Sequence, residues 1–266
     1  MPVVSADPTA GRNTPAASQP ADIVILAAGI GSRLRPITDT VPKCLVPVAG
    51  RSILERLLTQ LTRELAGSPD TRIHVVTGYL ADEVRRRVAS WPRPIHLIEN
   101  GEYLTTNNMV SLSLALAHVN AEAAGDLIIA NGDCVYDDAI IADIVGNQGS
   151  FILVDRTLFN DESMKVAVVD GAVRQMGKRL AQLPGHVVSI DLYRFSSRAK
   201  RALVRKVAEI LAAGRLNEWT EVAIHEIATE PDVRIETLDV NGRPWMEIDT
   251  LEDLREADQK FASPRA

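Results

Sequence analysis

Gly29 and Gly31 stand at the end of the apolar run DIVILAAG, with Ser32 and Arg33 directly after them and Pro42-Lys43 a short way further on. Glycines at the end of a strand let the backbone approach an anion closely, and the N–H groups left free there can line a phosphate site. Arg33 and Lys43 add two fixed cations on either side of a short loop rich in turn and β-branched residues, an arrangement suited to gripping a triphosphate. Two familiar nucleotide motifs are excluded. The dinucleotide fingerprint needs a third glycine where Leu34 stands, and the string Gly-Lys-Ser/Thr of a P-loop does not occur. A surface turn with two solvated basic side chains is the plain alternative for the same spacing.

The elements that would hold this loop follow from hydrophobic period. DIVILAAG reads as a buried parallel strand, and ILERLLTQLTREL (53–65) has apolar residues at helical spacing. Strand RIHVVTGY (72–79), helix ADEVRRRVASW (81–91), strand PIHLIEN (94–100), helix MVSLSLALAHV (109–119) and strand DLIIANGD (126–133) continue the alternation, which argues for a parallel sheet with crossover helices. The second half is closer-spaced. FILVDRT (151–157), MKVAVVDGAVRQMGK (164–178) and HVVSIDLYRFS (186–196) read as strands, with Asp170-Gly171 as a hairpin turn. In AKRALVRKVAEILAAG (199–214), Leu203, Val207, Ile210 and Leu211 share one face, and Gly214 suits a C-terminal cap. A helix at 217–228, two short strands around Asn241-Gly242 and a closing helix at 251–262 complete the pattern. Residues 1–20 show no hydrophobic period and are expected to form a disordered leader, leaving 21–266 as one domain.

Composition narrows the function classes. The chain has 266 residues, 46% hydrophobic and 24% charged, enough to bury a sizeable core. Its 29 Lys and Arg against 35 Asp and Glu give a net charge of −6, without the basic excess of a nucleic-acid binder. Cys44 and Cys134 have no ligand-like spacing, which fits a reducing cytosol, and no apolar run approaches a membrane span. A cytoplasmic enzyme is the expectation, with no nucleic-acid or membrane partner and room for a homo-oligomer. The five histidines lack ligand spacing. Arg85 to Arg87, and the group Lys200, Arg201, Arg205 and Lys206, are expected on solvated helix faces. Cys44, beside Lys43, is compatible with a lowered thiol pKa or with a small buried residue.

G-x-G-S-R at 29–33 after LAA, followed by Pro42-Lys43, resembles the signature of the nucleotidylyltransferases that act on sugar phosphates and related small phosphates. The resemblance extends over about residues 22–260. It implies a Rossmann-like three-layer αβα nucleotidyltransferase fold, with a mostly parallel mixed sheet and a small β-rich acceptor-binding part. It further implies metal-binding aspartates at Asp133 in NGD and Asp249 in WMEIDT, and a strand lysine, for which Lys165 in ESMKV is the candidate and Lys178 its competitor. YLTTNNMVSLSLA (103–115), ESMKVAVVDGAV (162–173), NEWTEVAI (217–224) and WMEIDTLEDL (245–254) are similar to the cytidylyltransferases of phosphocholine, aminoethylphosphonate and inositol phosphate. Sugar-nucleotide enzymes tend to carry a Gly-Glu pair where Gly185-His186 stands.

The chemistry so implied is transfer of CMP from CTP to a small phosphate or phosphonate with release of pyrophosphate, using Mg²⁺ held by Asp133 and Asp249. Such an acceptor is already an anion near neutral pH and needs no general base, only alignment and charge stabilisation. Arg33 and Lys43 would stabilise the β- and γ-phosphates, and Lys165 would clamp the acceptor phosphate. Leu26, Ala27, Ala28, Gly29, Gly31, Ser32 and Gly78 complete the expected nucleotide contacts, those near Ala27, Ala28 and Gly78 reaching the base. Tyr103, Asn107, Asn108, Trp219 and Glu221 are the acceptor candidates, the aromatic face with a carboxylate suiting an ammonium group. Structural fates stay open for several of these residues. Asp133 can cap or turn, either Asp249 or Thr250 can cap the last helix, Asn107-Asn108 can start the helix at 109, and Trp219 and Trp245 can be core anchors. A sugar-1-phosphate nucleotidylyltransferase using UTP, dTTP or GTP is the alternative within the same resemblance.

Overall fold

The computed structural model describes residues 20–159 and 162–262. Residues 1–19 of the expected leader lie outside the described residues, and Pro20, its last residue, opens the first strand. Strand β1 (Pro20–Ala27) is followed by a loop of short helical turns, the two-residue strands β2 (Pro47–Val48) and β3 (Arg51–Ser52), and helix α1 (Ile53–Glu64). Ser52 and Glu55 form a reciprocal capping box at the start of α1, so this helix begins where its sequence supplies partners for its free N–H groups. Then come β4 (Arg72–Thr77), α2 (Ala81–Val88), β5 (Ile95–Glu99), α3 (Asn108–Leu116), β6 (Asp126–Asn131), β7 (Cys134–Tyr136), α4 (Asp138–Gly146) and β8 (Phe151–Asp155). The last part holds β9 (Lys165–Val169), β10 (Ala172–Gly177), β11 (His186–Phe195), α5 (Ser197–Ala212), α6 (Thr220–Ala228), β12 (Glu236–Asp239), β13 (Trp245–Glu247) and α7 (Leu251–Lys260).

Nine strands form one sheet in the order β5-β4-β1-β6-β11-β8-β12-β10-β9. Following the pairings across it, seven strands run in one direction and only β11 and β10 oppose them, as the mostly parallel mixed sheet requires. Alternate residues of β1 divide between the two faces. Val24 and Leu26 pack with α3, α5 and α6, whereas Ile23 and Ile25 pack with α1, α2 and α4. This period-two division makes the three layers. Helix α7 closes a smaller core with Leu34, Val46 and Val48.

The hairpin at Asp170-Gly171 has both residues at positive φ (50° and 72°), the turn geometry that matches strand twist. The two strands around Asn241-Gly242 are present but part company: β12 joins the large sheet beside β8, and β13 pairs with β7 in a separate ribbon. Strand β11 is irregular. Its register against β8 shifts between Ser189 and Tyr193, and Asp191 there has a φ of 59°. Its first residues pair with β9 and its last with β6, so one bent strand joins the parallel half to the β-rich leaf.

One charged group departs from sequence expectation. Lys200, expected on a solvated face, is fully buried, and its Nζ donates to the carbonyls of Ala123 (2.9 Å) and Gly125 (3.1 Å). It lies on the same stripe of α5 as Leu203 and Val207, so its methylene stem packs inward while its ammonium finds carbonyl partners. Arg85 to Arg87 do sit on an exposed face, paired with Asp82, Glu83 and Glu55. Arg194 in β11 is also fully buried. Its Nε lies 2.8 Å from Asp126, and its Nη1 donates to the Ile144 and Val145 carbonyls at the end of α4. Arg194→Met should lower unfolding free energy by about 3–5 kcal/mol, since it strands the Asp126 charge and two helix-end carbonyls. Urea denaturation measures this, and a loss below about 1 kcal/mol would show that water replaces the guanidinium.

Candidate active site

The loop after β1 and the turn after β6 meet at the C-terminal ends of two adjacent parallel strands, the crevice where open α/β sheets bind ligands. The local sequence explains how closely they meet. Gly132 in NGD donates its N–H to the Leu26 carbonyl at 2.8 Å, and a Cβ there would stand 2.8 Å from that oxygen and 2.9 Å from Ala27 Cβ. Only glycine lets Asp133 emerge so near β1. Gly31 has a φ of 68°, and a Cβ on it would stand 2.9 Å from Lys43 Cβ and 3.0 Å from its Cγ. The stem of Lys43 therefore lies directly against the glycine loop, which Thr38 braces by donating to the Gly31 carbonyl at 2.8 Å.

The ribbon of β7 and β13 brings in the late aspartate. Glu247 pairs with Cys134, and Ile248 N–H donates to the Asp133 carbonyl at 2.9 Å. Thr250, not Asp249, caps α7, in a capping box with Asp253, whose carboxylate also accepts the Asp249 N–H at 3.0 Å. The Asp249 carboxylate is thereby directed to the crevice. Lys43 Nζ lies 2.6 Å from Asp133 Oδ2 and 2.6 Å from Asp249 Oδ1, and Arg33 Nη2 lies 2.6 Å from Asp249 Oδ2. Burial alone would lower the Lys43 pKa, but the two carboxylates outweigh it and hold the ammonium well above its usual value. Burial would raise Asp249, and Lys43 and Arg33 reverse this and lower it. Glu247 completes the acidic group, with one oxygen from each of the three residues within 4.8 Å of the others. It is pushed up to about 9 by burial and by the Asp191, Asp133 and Asp249 charges. Three converging carboxylates are the hard-oxygen donor set that suits Mg²⁺, so these residues fit such an ion.

Two adjoining cavities meet at this cluster. The smaller, of about 220 Å³, is lined by Leu26, Ala27, Gly29, Gly31, Ser32, Arg33, Lys43, Cys44, Gly132, Asp133 and Asp249. The larger, of about 360 Å³, is lined on this side by Leu26, Ala28, Gly29, Arg33, Asp133, Glu247 and Asp249, and at its other end by Tyr103, Asn107, Asn108, Trp219 and Glu221. Gly78 lines neither. It backs the site from below, where a Cβ would stand 2.8 Å from the Ala28 carbonyl and 2.8 Å from Tyr103 Cβ. Lys165 lines neither as well. It is buried and its Nζ donates to the Lys178 carbonyl at 2.7 Å, because the inward face of β9 turns it beneath the next loop. Lys178, its competitor, does line the large cavity, with Nζ 5.1 Å from the Trp219 ring centre. Cys44 is buried, and burial pushes its thiol up to about 12, so a lowered pKa beside Lys43 is overturned by desolvation. Trp245 is a core anchor whose Nε1 donates to Asp155 at 2.8 Å.

The far end of the large cavity is held by caps. Asn107 caps α3 and donates to the Leu216 and Asn217 carbonyls, and Asn108 Oδ1 accepts the Thr220 N–H at 2.8 Å, so the two asparagines tie α3 to the segment before α6 and to α6 itself while facing the cavity. Glu221, in the first turn of α6, is buried, and Trp219 just before it is 42% exposed at the rim. Tyr193 Oη lies 2.8 Å from Glu221 Oε1 and 2.9 Å from Asp191 Oδ1. One hydroxyl proton cannot serve two carboxylates at once. Burial first, and then mutual repulsion, raises Asp191 to about 7, and burial raises Glu221 also. Asp191 and Glu247 were missed in the sequence reading, although each left a signal. Asp191 is the one acidic residue of the strand HVVSIDLYRF, and Glu247 stands two residues before Asp249, on the same side of an extended segment.

A profile of the MobA-like NTP transferase domain matches residues 23–194. The chain is 30% identical over 237 residues, 88% of its length, to the bifunctional IPC transferase and DIPP synthase of Aquifex aeolicus, of which the match covers 50%. It is 28% identical over 258 residues, 92% of its length, to the CMP-5'-(3-aminopropyl)phosphonate synthase of Streptomyces rubellomurinus, of which the match covers 40%. The chain thus spans about half the length, or less, of these curated relatives. Among solved structures, the CTP:phosphocholine cytidylyltransferase of Streptococcus pneumoniae superposes with a TM-score of 0.74 at 20% identity, covering 90% of this chain and 97% of that one. Among the described residues no helix is long and apolar enough to cross a membrane.

The Asp191 carboxyl yields a stability test. Its folded-state pKa lies above the unfolded value of about 3.9. The stability linked to its protonation is therefore fully present below about pH 4 and is lost as pH rises through about 7. Asp191→Asn should flatten that decline, raising stability relative to the unsubstituted protein at pH 8 but not at pH 4. Urea unfolding across this range decides it, and parallel pH profiles would assign the decline to other groups.

Proposed function

The chain belongs to the family of MobA-like NTP transferase domains, a nucleotidyltransferase family, and we propose that it transfers CMP from CTP to a small phosphate or phosphonate bearing an ammonium group, releasing pyrophosphate. The observation that supports the acceptor class is the far end of the large cavity, where the buried carboxyls of Glu221 and Asp191 flank the Tyr193 hydroxyl and Trp219 stands at the rim. An ammonium group supplies the counter-charge that one hydroxyl cannot, and the indole ring is a surface that attracts cations. Lys178, whose Nζ already lies over that ring, is the cavity cation suited to the acceptor phosphate, with Lys165 positioning it through its carbonyl. The choice of CTP draws its support from the similarity to the aminopropylphosphonate relative.

The nucleotide would sit at the other end, with Gly29, Gly31 and Ser32 presenting loop backbone to phosphate oxygens. Asp133 and Asp249, with Glu247 beside them, would hold Mg²⁺, which when bound supplies Lewis-acid charge to phosphate oxygens. Arg33 and Lys43 would stabilise the negative charge that grows on the β- and γ-phosphates. An acceptor oxygen then forms a bond to the α-phosphorus as the bond to the bridging β-oxygen breaks, and both electrons leave with pyrophosphate. The cavity walls would hold the attacking oxygen in line, and this alignment together with the charge stabilisation by Arg33 and Lys43 would supply the rate acceleration.

The first test is pyrophosphate release with CTP, UTP, dTTP, GTP and ATP, each against phosphocholine, aminoethyl- and hydroxyethylphosphonate, inositol phosphate and hexose 1-phosphates, with Mg²⁺ present. Release confined to CTP and an amine-bearing acceptor is expected, whereas release with UTP, dTTP or GTP and a hexose phosphate would replace this reading by the sugar-nucleotide one. Asp133→Asn and Asp249→Asn should each reduce turnover to background while thermal unfolding stays cooperative. Trp219→Ala should raise KM for the amine acceptor about five- to thirty-fold, the equivalent of about 1–2 kcal/mol, and leave KM for CTP within about twofold. Equal loss for hydroxyethylphosphonate would make Trp219 a packing residue.

A further inference from the structure

We propose that Lys43 is an internal counter-cation that competes with the divalent metal for Asp133 and Asp249, so that metal enters as the lysine withdraws onto a bound polyphosphate. The proposal rests on the metal assignment of the preceding section and adds a coupling between two ligands. Its basis is geometric. One ammonium bridges two carboxylates that come from different ends of the chain, at 2.6 Å to each, while Arg33 holds the remaining Asp249 oxygen at 2.6 Å. Two carboxylates facing two cations form a neutral group, which attracts a dication far less than two free carboxylates would.

The same lysine is placed for exchange. Its stem lies against Gly31, where an added Cβ would stand 2.9, 3.0 and 3.2 Å from the Lys43 Cβ, Cγ and Cδ, and it lines the smaller cavity with Gly29, Gly31 and Ser32. An anion seated on that loop lies alongside the lysine stem, so rotation about its terminal bonds carries the ammonium from the carboxylates to the anion without moving backbone. Each binding event then removes the obstacle to the other, since metal displaces Lys43 toward the polyphosphate and polyphosphate draws it off the metal ligands. By linkage the enhancement is equal in both directions. The arrangement also keeps Asp133 and Asp249 together against their own repulsion, so the ligand pair is formed before either ligand arrives.

Mn²⁺ alone, titrated against the full chain and read as loss of its free solution EPR signal, tests the competition directly. Lys43→Met should bind Mn²⁺ on the order of tenfold or more tightly than the unsubstituted protein, because the carboxylates are released from their counter-charge. Lys43→Arg, which keeps a cation there, should stay weak, and adding Asp133→Asn to Lys43→Met should abolish the gain. Should Lys43→Met unfold when Mn²⁺ is withheld, its melting temperature should rise with Mn²⁺ by more than that of the unsubstituted chain. Equal or weaker Mn²⁺ binding by Lys43→Met, or a gain that survives Asp133→Asn, would overturn the proposal. These readouts involve no nucleotide. Mn²⁺ competition without CTP turnover would reject the cytidylyl reading alone, and CTP turnover without competition would reject only the exchange.

Discussion

The bridging of Asp133 and Asp249 by one ammonium, with Arg33 on the remaining Asp249 oxygen, constrains how the distant segments of this protein must meet. A half-buried carboxylate pair is unfavourable unless a cation stands between its members, and a buried cation is unfavourable without both. Lys43 meets both needs at 2.6 Å, but only if three distant segments converge. Gly31 must leave space for the lysine stem, Gly132 must let β6 turn out against β1, and the β7–β13 ribbon must carry Asp249 alongside. The large sheet supplies the first two meetings through the adjacency of β1 and β6. The ribbon, which is not part of that sheet, supplies the third.

The residues that this constraint fixes most tightly are those that stood out in the sequence. The glycine loop and Lys43 are types whose spacing carried meaning because backbone approach and charge leave few substitutes, whereas Asp133 and Asp249 stood out only through the family resemblance. The strands and helices were legible for the same reason, since each buries one face at a regular period, as α5 does with Leu203, Val207 and Ile210. What escaped depends on tertiary direction. Lys165 alternates correctly along β9, yet which face of that strand meets the cavity is decided by how β9 and β10 fold over β11. Lys200 sits among basic neighbours and only the packing of α5 against the Gly125 turn reveals it as buried. Asp191 reaches the cavity through a register shift that no periodicity encodes. Asn241-Gly242 has the local turn chemistry of a hairpin, but β8 and β7 capture its two flanking strands separately.

The two ends of the large cavity are built on different principles. At the loop end, the cations Arg33 and Lys43 stand among the carboxylates of Asp133, Asp249 and Glu247. At the other end, Asp191, Tyr193 and Glu221 form a buried hydrogen-bonded group of two carboxyls and a phenol beside the rim residue Trp219. The first end is carried by the parallel half of the sheet, and the second by β11 with the helices α3 and α6. Changes in α6 or in the bend of β11 can therefore reshape the far end of the cavity without disturbing the loop, Lys43 or the two aspartates.

The distance along the chain between the partners of the central ion pair bears on synthesis. Lys43 and Asp249 are 206 positions apart, while Lys43 and Asp133 are 90 apart. A chain emerging from the ribosome presents the lysine and the first aspartate long before the second, and closing so long a loop is among the slower steps of folding. During that interval β1, β4 and β6 can assemble around a lysine holding half of its final counter-charge. Arrival of the β13 segment brings in the second carboxylate, so the ion-pair cluster is completed only after β13 has emerged and not with the core beneath it.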